Sequence, residues 1–111
     1  MRVSTQIDPG ICNFNAVVTA DTEDSQNVTF EFVSECETIK EFDKLIQEIS
    51  PVDAIMALGP GEDPILSKAR ELLQPRGCCE ACVVPAGTVK IMHVVAGLSL
   101  PKDVSLKIAR E

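Results

Sequence analysis

Cysteine is the residue type in this chain best suited to chemistry. Three of the five cysteines fall in one stretch, Arg76-Gly77-Cys78-Cys79-Glu80-Ala81-Cys82-Val83-Val84-Pro85. The thiolate form of cysteine is both a metal ligand and a nucleophile. The spacing Cys79-x-x-Cys82 is that of a metal knuckle, in which a short loop turns two thiolates toward one ion. The other two cysteines, Cys12 and Cys36, are far off in sequence, each beside a turn or a helix start. Four thiolates at Cys12, Cys36, Cys79 and Cys82 would make a tetrahedral site suited to zinc, or to iron in an iron–sulfur centre. Cys78 is then the spare thiol, or a substitute for Cys79.

Two rival chemistries use the same residues. A Cys-x-x-Cys pair ahead of a helix is also the arrangement of a dithiol redox site, here Cys79 with Cys82. Alternatively, free cysteine packs as a small hydrophobe. The chain would then be a non-catalytic interaction module, a homodimer in one version, with buried inert thiols. Nucleophilic catalysis is disfavoured. His93 is the only histidine, and it lies about three helical turns beyond Cys82, too far along one helix to pair with it. His93 instead reads as a structural or surface residue. Gly59-Pro60-Gly61 lacks the lysine and spacing of a phosphate loop and reads as a turn. The expected role is structural, carrier-like or redox rather than hydrolytic, and the balance leans against an enzyme.

The elements that must position these thiols can be read from periodicity. Met1–Asp8 alternates, with Val3, Thr5 and Ile7 on one face, and predicts a strand. Asp8-Pro9-Gly10 is a turn signal. Phe14 to Ala20 and Val28 to Val33 predict two more strands, with a polar loop between them. Ser34-Glu35-Cys36-Glu37 has capping-box spacing, and Ile39, Phe42, Leu45, Ile46 and Ile49 follow at helical intervals. Pro51 stops that helix, and Val52–Leu58 reads as a short helical turn. Asp63-Pro64 opens a second helix with Ile65, Leu66, Ala69, Leu72 and Leu73 inward. A third helix runs from about Val84, with Val84, Thr88, Ile91, Met92 and Val95 on one face and Gly97 after its end. Val104, Leu106 and Ile108 alternate with Ser105, Lys107 and Ala109 and predict a last strand.

Each predicted strand has one apolar and one mixed or polar face, so helices are expected on one face of the sheet only. The order β-β-β-α-α-α-β predicts an α+β fold: a two-layer sandwich with a four-stranded mixed sheet. In a simple meander the first and third strands run the same way. Cys12 follows the first and Cys36 the third, so both fall at one sheet edge. Cys82 reaches that edge only if the third helix starts there. The last strand is then expected to return parallel to the first. The unpaired N–H groups at that helix start are expected to favour the Cys82 thiolate.

Composition bounds the rest. At 111 residues and 45% apolar content, one domain over residues 1–111 is expected, with an aliphatic core because there is no Trp or Tyr. The net charge of −7 argues against nucleic acid and against anionic membrane as partners. The start of the chain lacks the apolar core of a signal peptide, and no run approaches a membrane span. A cytoplasmic location is expected, where thiols stay reduced and cysteines more often serve metal or redox chemistry.

Three segments carry a resemblance: Gly10-Ile11-Cys12-Asn13-Phe14, Ser34-Glu35-Cys36, and Cys82 through Lys90 running on to Ala96-Gly97-Leu98-Ser99-Leu100-Pro101-Lys102-Asp103-Val104. On these the chain resembles an uncharacterised family of small cysteine-containing proteins of anaerobic archaea and bacteria. That family has a histidine at the place of Cys79. Histidine and cysteine both ligate metals, so the resemblance implies the same four positions as the ligand set. It implies no activity.

Overall fold

The computed structural model describes residues 1–111 except Glu62, and except the side chain of Cys78. The alternative in which Cys78 replaces Cys79 therefore lies outside the described residues. Three strands form the expected meander: β1 Arg2–Ile7, β2 Ala16–Thr22 and β3 Asn27–Ser34. Ile7 and Ser34 both pair with Ala16, so these three residues mark one edge across the sheet. The β2–β3 hairpin is closed by Asp24, whose carboxylate accepts the backbone N–H groups of Gln26 and Asn27.

The sheet differs from expectation in its fourth member. The segment Val104–Ala109 does not join it. The tail carries no regular secondary structure and is exposed, with Ile108 at 94%. The fourth strand is instead β4 Val52–Asp53, taken from the segment expected to be a helical turn, which keeps only a 3-10 turn at Met56–Leu58. β4 pairs antiparallel with Asn27 and Val28. The order is β1-β2-β3-β4 and every pairing is antiparallel, so the expectation of a mixed sheet is corrected. The physical reason is that an alternating pattern declares a strand-like face but not the edge it pairs with.

Three helices follow: α1 Glu37–Ile49, α2 Pro64–Leu73 and α3 Val84–Val95. The N-cap of α1 is Cys36 itself, not Ser34. Asp63 caps α2 as its sequence predicts, its carboxylate accepting the N–H of Ile65 at 2.7 Å. α3 ends in the expected glycine motif: Gly97 sits at φ +79°, with Gly97 N–H donating to the Val94 carbonyl and Leu98 N–H to the His93 carbonyl. α1 packs on β3, α3 on β1 and β2, and α2 against both other helices. Along β2 and β3 the buried positions alternate, as Ala16, Val18 and Ala20 and as Val28 and Phe30. These residues meet Phe42, Ile46, Ile65, Met92 and Val95 in the aliphatic core. No described helix is long and apolar enough to cross a membrane.

Candidate functional site

Cys12 stands on the loop after β1. That loop is built from two local bonds: Gly10 N–H to the Asp8 carboxylate, and Asn13 N–H to the Gly10 carbonyl. Gly10 at φ +92° and Asn13 at φ +61° take left-handed conformations, for which glycine and asparagine are the suited residues. The turn leaves Cys12 exposed. Cys36 follows the end of β3, half-buried against the core. Cys79 belongs to a 3-10 segment, Gln74–Ala81, and Cys82 caps it, its N–H donating to the Cys79 carbonyl. Gly77 breaks that segment at φ +61°, ψ −108°. Both thiols are half-buried and packed on the core.

Three long-range ties draw these segments to one end of the molecule. The Ser34 hydroxyl donates to the Asn15 carbonyl at 3.0 Å and accepts the Cys36 N–H at 3.2 Å, joining the Cys12 loop to the start of α1. Arg76 donates to Thr38 Oγ1 at 3.1 Å and to Glu41 Oε2 at 2.6 Å, tying the Cys79–Cys82 segment to the first turns of α1. Gly87, in the first turn of α3, lies against Ile7 at the end of β1. α3 therefore starts at the Ile7–Ala16–Ser34 edge and runs away from it, as expected, without any returning strand. Sequence reasoning missed Ser34, Arg76 and Ile7 as positioning residues. Only Ser34 carried a local signal, its place before Cys36, and that signal pointed to a helix cap instead.

Cys82 records the electrostatics of the site. Burial pushes its thiol above the ordinary value of 9.0; the Val84 backbone N–H at the start of α3 pulls it down, and Cys36, Cys12 and Cys79 push it up again. The expected help from the helix start is present, but desolvation outweighs it, so the expectation of a favoured thiolate is corrected. Cys36, Cys12 and Cys79 thus each lie close enough to Cys82 for their charge to act on its thiol. They are free, with no disulfide among them. Among the described residues no group of three or more Cys, His, Asp or Glu is set to hold a metal ion. His93 is remote, in the last turn of α3, with Nε2 buried and unpartnered.

No curated protein and no solved structure matches the chain. A family model described as a family of unknown function matches residues 3–108, a span that takes in all three helices and every cysteine. The chain belongs to this family of unknown function, DUF6951.

Proposed function

We propose that this protein binds one metal ion or iron–sulfur centre through Cys12, Cys36, Cys79 and Cys82, with zinc or iron as the metal. The observation that supports the proposal is the convergence of Cys36, Cys12 and Cys79, from three chain segments in all, near enough to Cys82 to act on its thiol. Four like-charging groups from three chain segments gather at one end of the fold. A bound cation turns that repulsion into attraction and lets the thiols ionise. The role is structural or carrier-like.

The reading includes a two-layer arrangement, with all three helices on the buried face of the sheet, and a cytoplasmic setting. The anaerobic archaeal and bacterial sources implied by the resemblance belong to it as well, since reducing conditions keep thiols available for metal. Metal analysis of protein purified without oxygen tests it. About one zinc, or one iron centre, per chain is expected. Metal-free protein whose thiols all react freely would reject the reading. A reversible Cys79–Cys82 disulfide in metal-free protein would transfer support to the redox alternative.

A further inference from the structure

The tail after α3 is the least explained part of the fold. Beyond Leu98 no backbone hydrogen bond is made among the described residues. Leu100, Val104, Leu106 and Ile108 are 85, 66, 75 and 94% exposed. Solitary exposed apolar residues are ordinary, but here Val104, Leu106 and Ile108 alternate with polar or small neighbours, the pattern of a strand with one face to bury. The family match runs to residue 108, so this pattern belongs to the shared unit rather than to an appendage. The molecule measures 43 × 28 × 28 Å.

The sheet offers a matching vacancy. β1 is an outer strand of six residues, and among the described residues nothing pairs along its far side. Met1 and Thr22 exchange two backbone hydrogen bonds, at 2.8 and 3.0 Å. Alternation along an antiparallel ladder then directs the N–H and C=O groups of Val3, Thr5 and Ile7 to β2, and those of Arg2, Ser4 and Gln6 to the open edge. The inward side chains Val3, Thr5 and Ile7 are only half-buried, whereas Ala16, Val18 and Ala20 beside them are fully buried. One more strand with three apolar residues would complete that face.

We infer that two copies of this chain exchange tails, each laying Val104–Ala109 along the β1 edge of the other. A second copy is the occupant because the tail is exposed from residue 98 onward and, among the described residues, joins no strand of its own sheet, while every copy carries both the strand-like tail and the open edge. A reciprocal exchange also closes with two-fold symmetry and leaves no open β1 edge. The inference is independent of the thiol site.

Sedimentation equilibrium of the full chain, paired with residue-resolved hydrogen exchange, tests it. The wild-type protein is expected at twice the 12.0 kDa chain mass, with the Ser4 and Gln6 amides protected. The variant L106D/I108D changes only exposed side chains, so its fold is expected to persist by circular dichroism. It should sediment at half the wild-type mass, with Ser4 and Gln6 exchanging freely. A monomeric wild type overturns the inference, whether those amides are protected by the chain's own tail or not. So does a dimer in which Ser4 and Gln6 exchange freely, or one that survives L106D/I108D unchanged.

Discussion

Gly87 and Ile7 are in contact so close that glycine is the residue the position admits without adjustment: a Cβ at residue 87 would meet Ile7 Cδ1 at 2.7 Å. This contact seats the start of α3 on the end of β1, and so sets Cys82 beside the loop that carries Cys12. Two effects oppose each other in Gly87→Ala. Helix propensity gains about 1 kcal/mol, while overpacking costs about 1–3 kcal/mol. The clashing atom is the tip of a half-buried side chain and can turn aside, so the net change is expected within about 1 kcal/mol of zero. Ile7→Val removes that tip. In the Ile7→Val background, Gly87→Ala is expected to stabilise by about 0.5–1 kcal/mol. A denaturant-unfolding double-mutant cycle measures this; identical effects in both backgrounds would show that the contact carries no energy.

The ligand assignment separates the cysteines by single substitution. Cys36→Ser, Cys79→Ser and Cys82→Ser are each expected to weaken metal binding by more than the roughly 10–100-fold that the loss of an outer-shell partner costs. Cys12→Ser acts on an exposed loop, so it is expected to lower affinity with no loss of fold stability. Cys78→Ser is expected to leave metal content unchanged. Competition with a chromophoric chelator reads all five. Retention of metal by Cys79→Ser together with loss in Cys78→Ser would exchange the roles of the two neighbours.

The raised pKa of Cys82 has a consequence for stability. Its folded pKa lies above the ordinary value of 9.0, so the folded state holds the proton more tightly than the unfolded chain does. The stabilisation is complete below the ordinary pKa and is lost as pH rises through the folded one. Metal-free protein is therefore expected to lose stability as pH rises above about 8, and Cys82→Ser to flatten that loss. Metal must displace the proton, so loading is expected to release acid and to remove the decline. Thermal melts of metal-free protein across this range give the answer; an unchanged slope in Cys82→Ser would assign the loss to another group.

Arg76 tests whether position rather than stability is what the site requires. Its bonds to Glu41 and Thr38 are half-exposed, and such a pair contributes about 0.2–1 kcal/mol. Arg76→Met is expected to leave the unfolding free energy within about 1 kcal/mol of wild type. It should nonetheless accelerate metal release, since the Cys79–Cys82 segment is no longer held to α1. Chelator-driven release kinetics, compared with urea melts, separate the two effects. A large stability loss with unaltered release would make Arg76 a purely structural residue.

Much of this protein is legible in its sequence because the relevant physics is local. Alternation along Val3–Ile7, Ala16–Ala20 and Val28–Phe32 specifies strands with one buried face. Asp63 with Pro64, and Gly97 with its following residues, mark helix ends through their own backbone chemistry. The meander follows from short connections, and it alone predicts that Cys12 and Cys36 share an edge. The tertiary structure decided what depends on distant partners. The strand-like pattern of Val104–Ile108 does not name its neighbour, so the closing strand became Val52–Asp53 and the sheet antiparallel. Cys82 reaches the cysteine edge through Gly87 on Ile7 and Arg76 on Glu41, contacts between residues 80 and 35 positions apart in sequence. The direction of its pKa also waited on the fold: the helix start and the buried surround act oppositely on the thiol, and only packing determines which prevails.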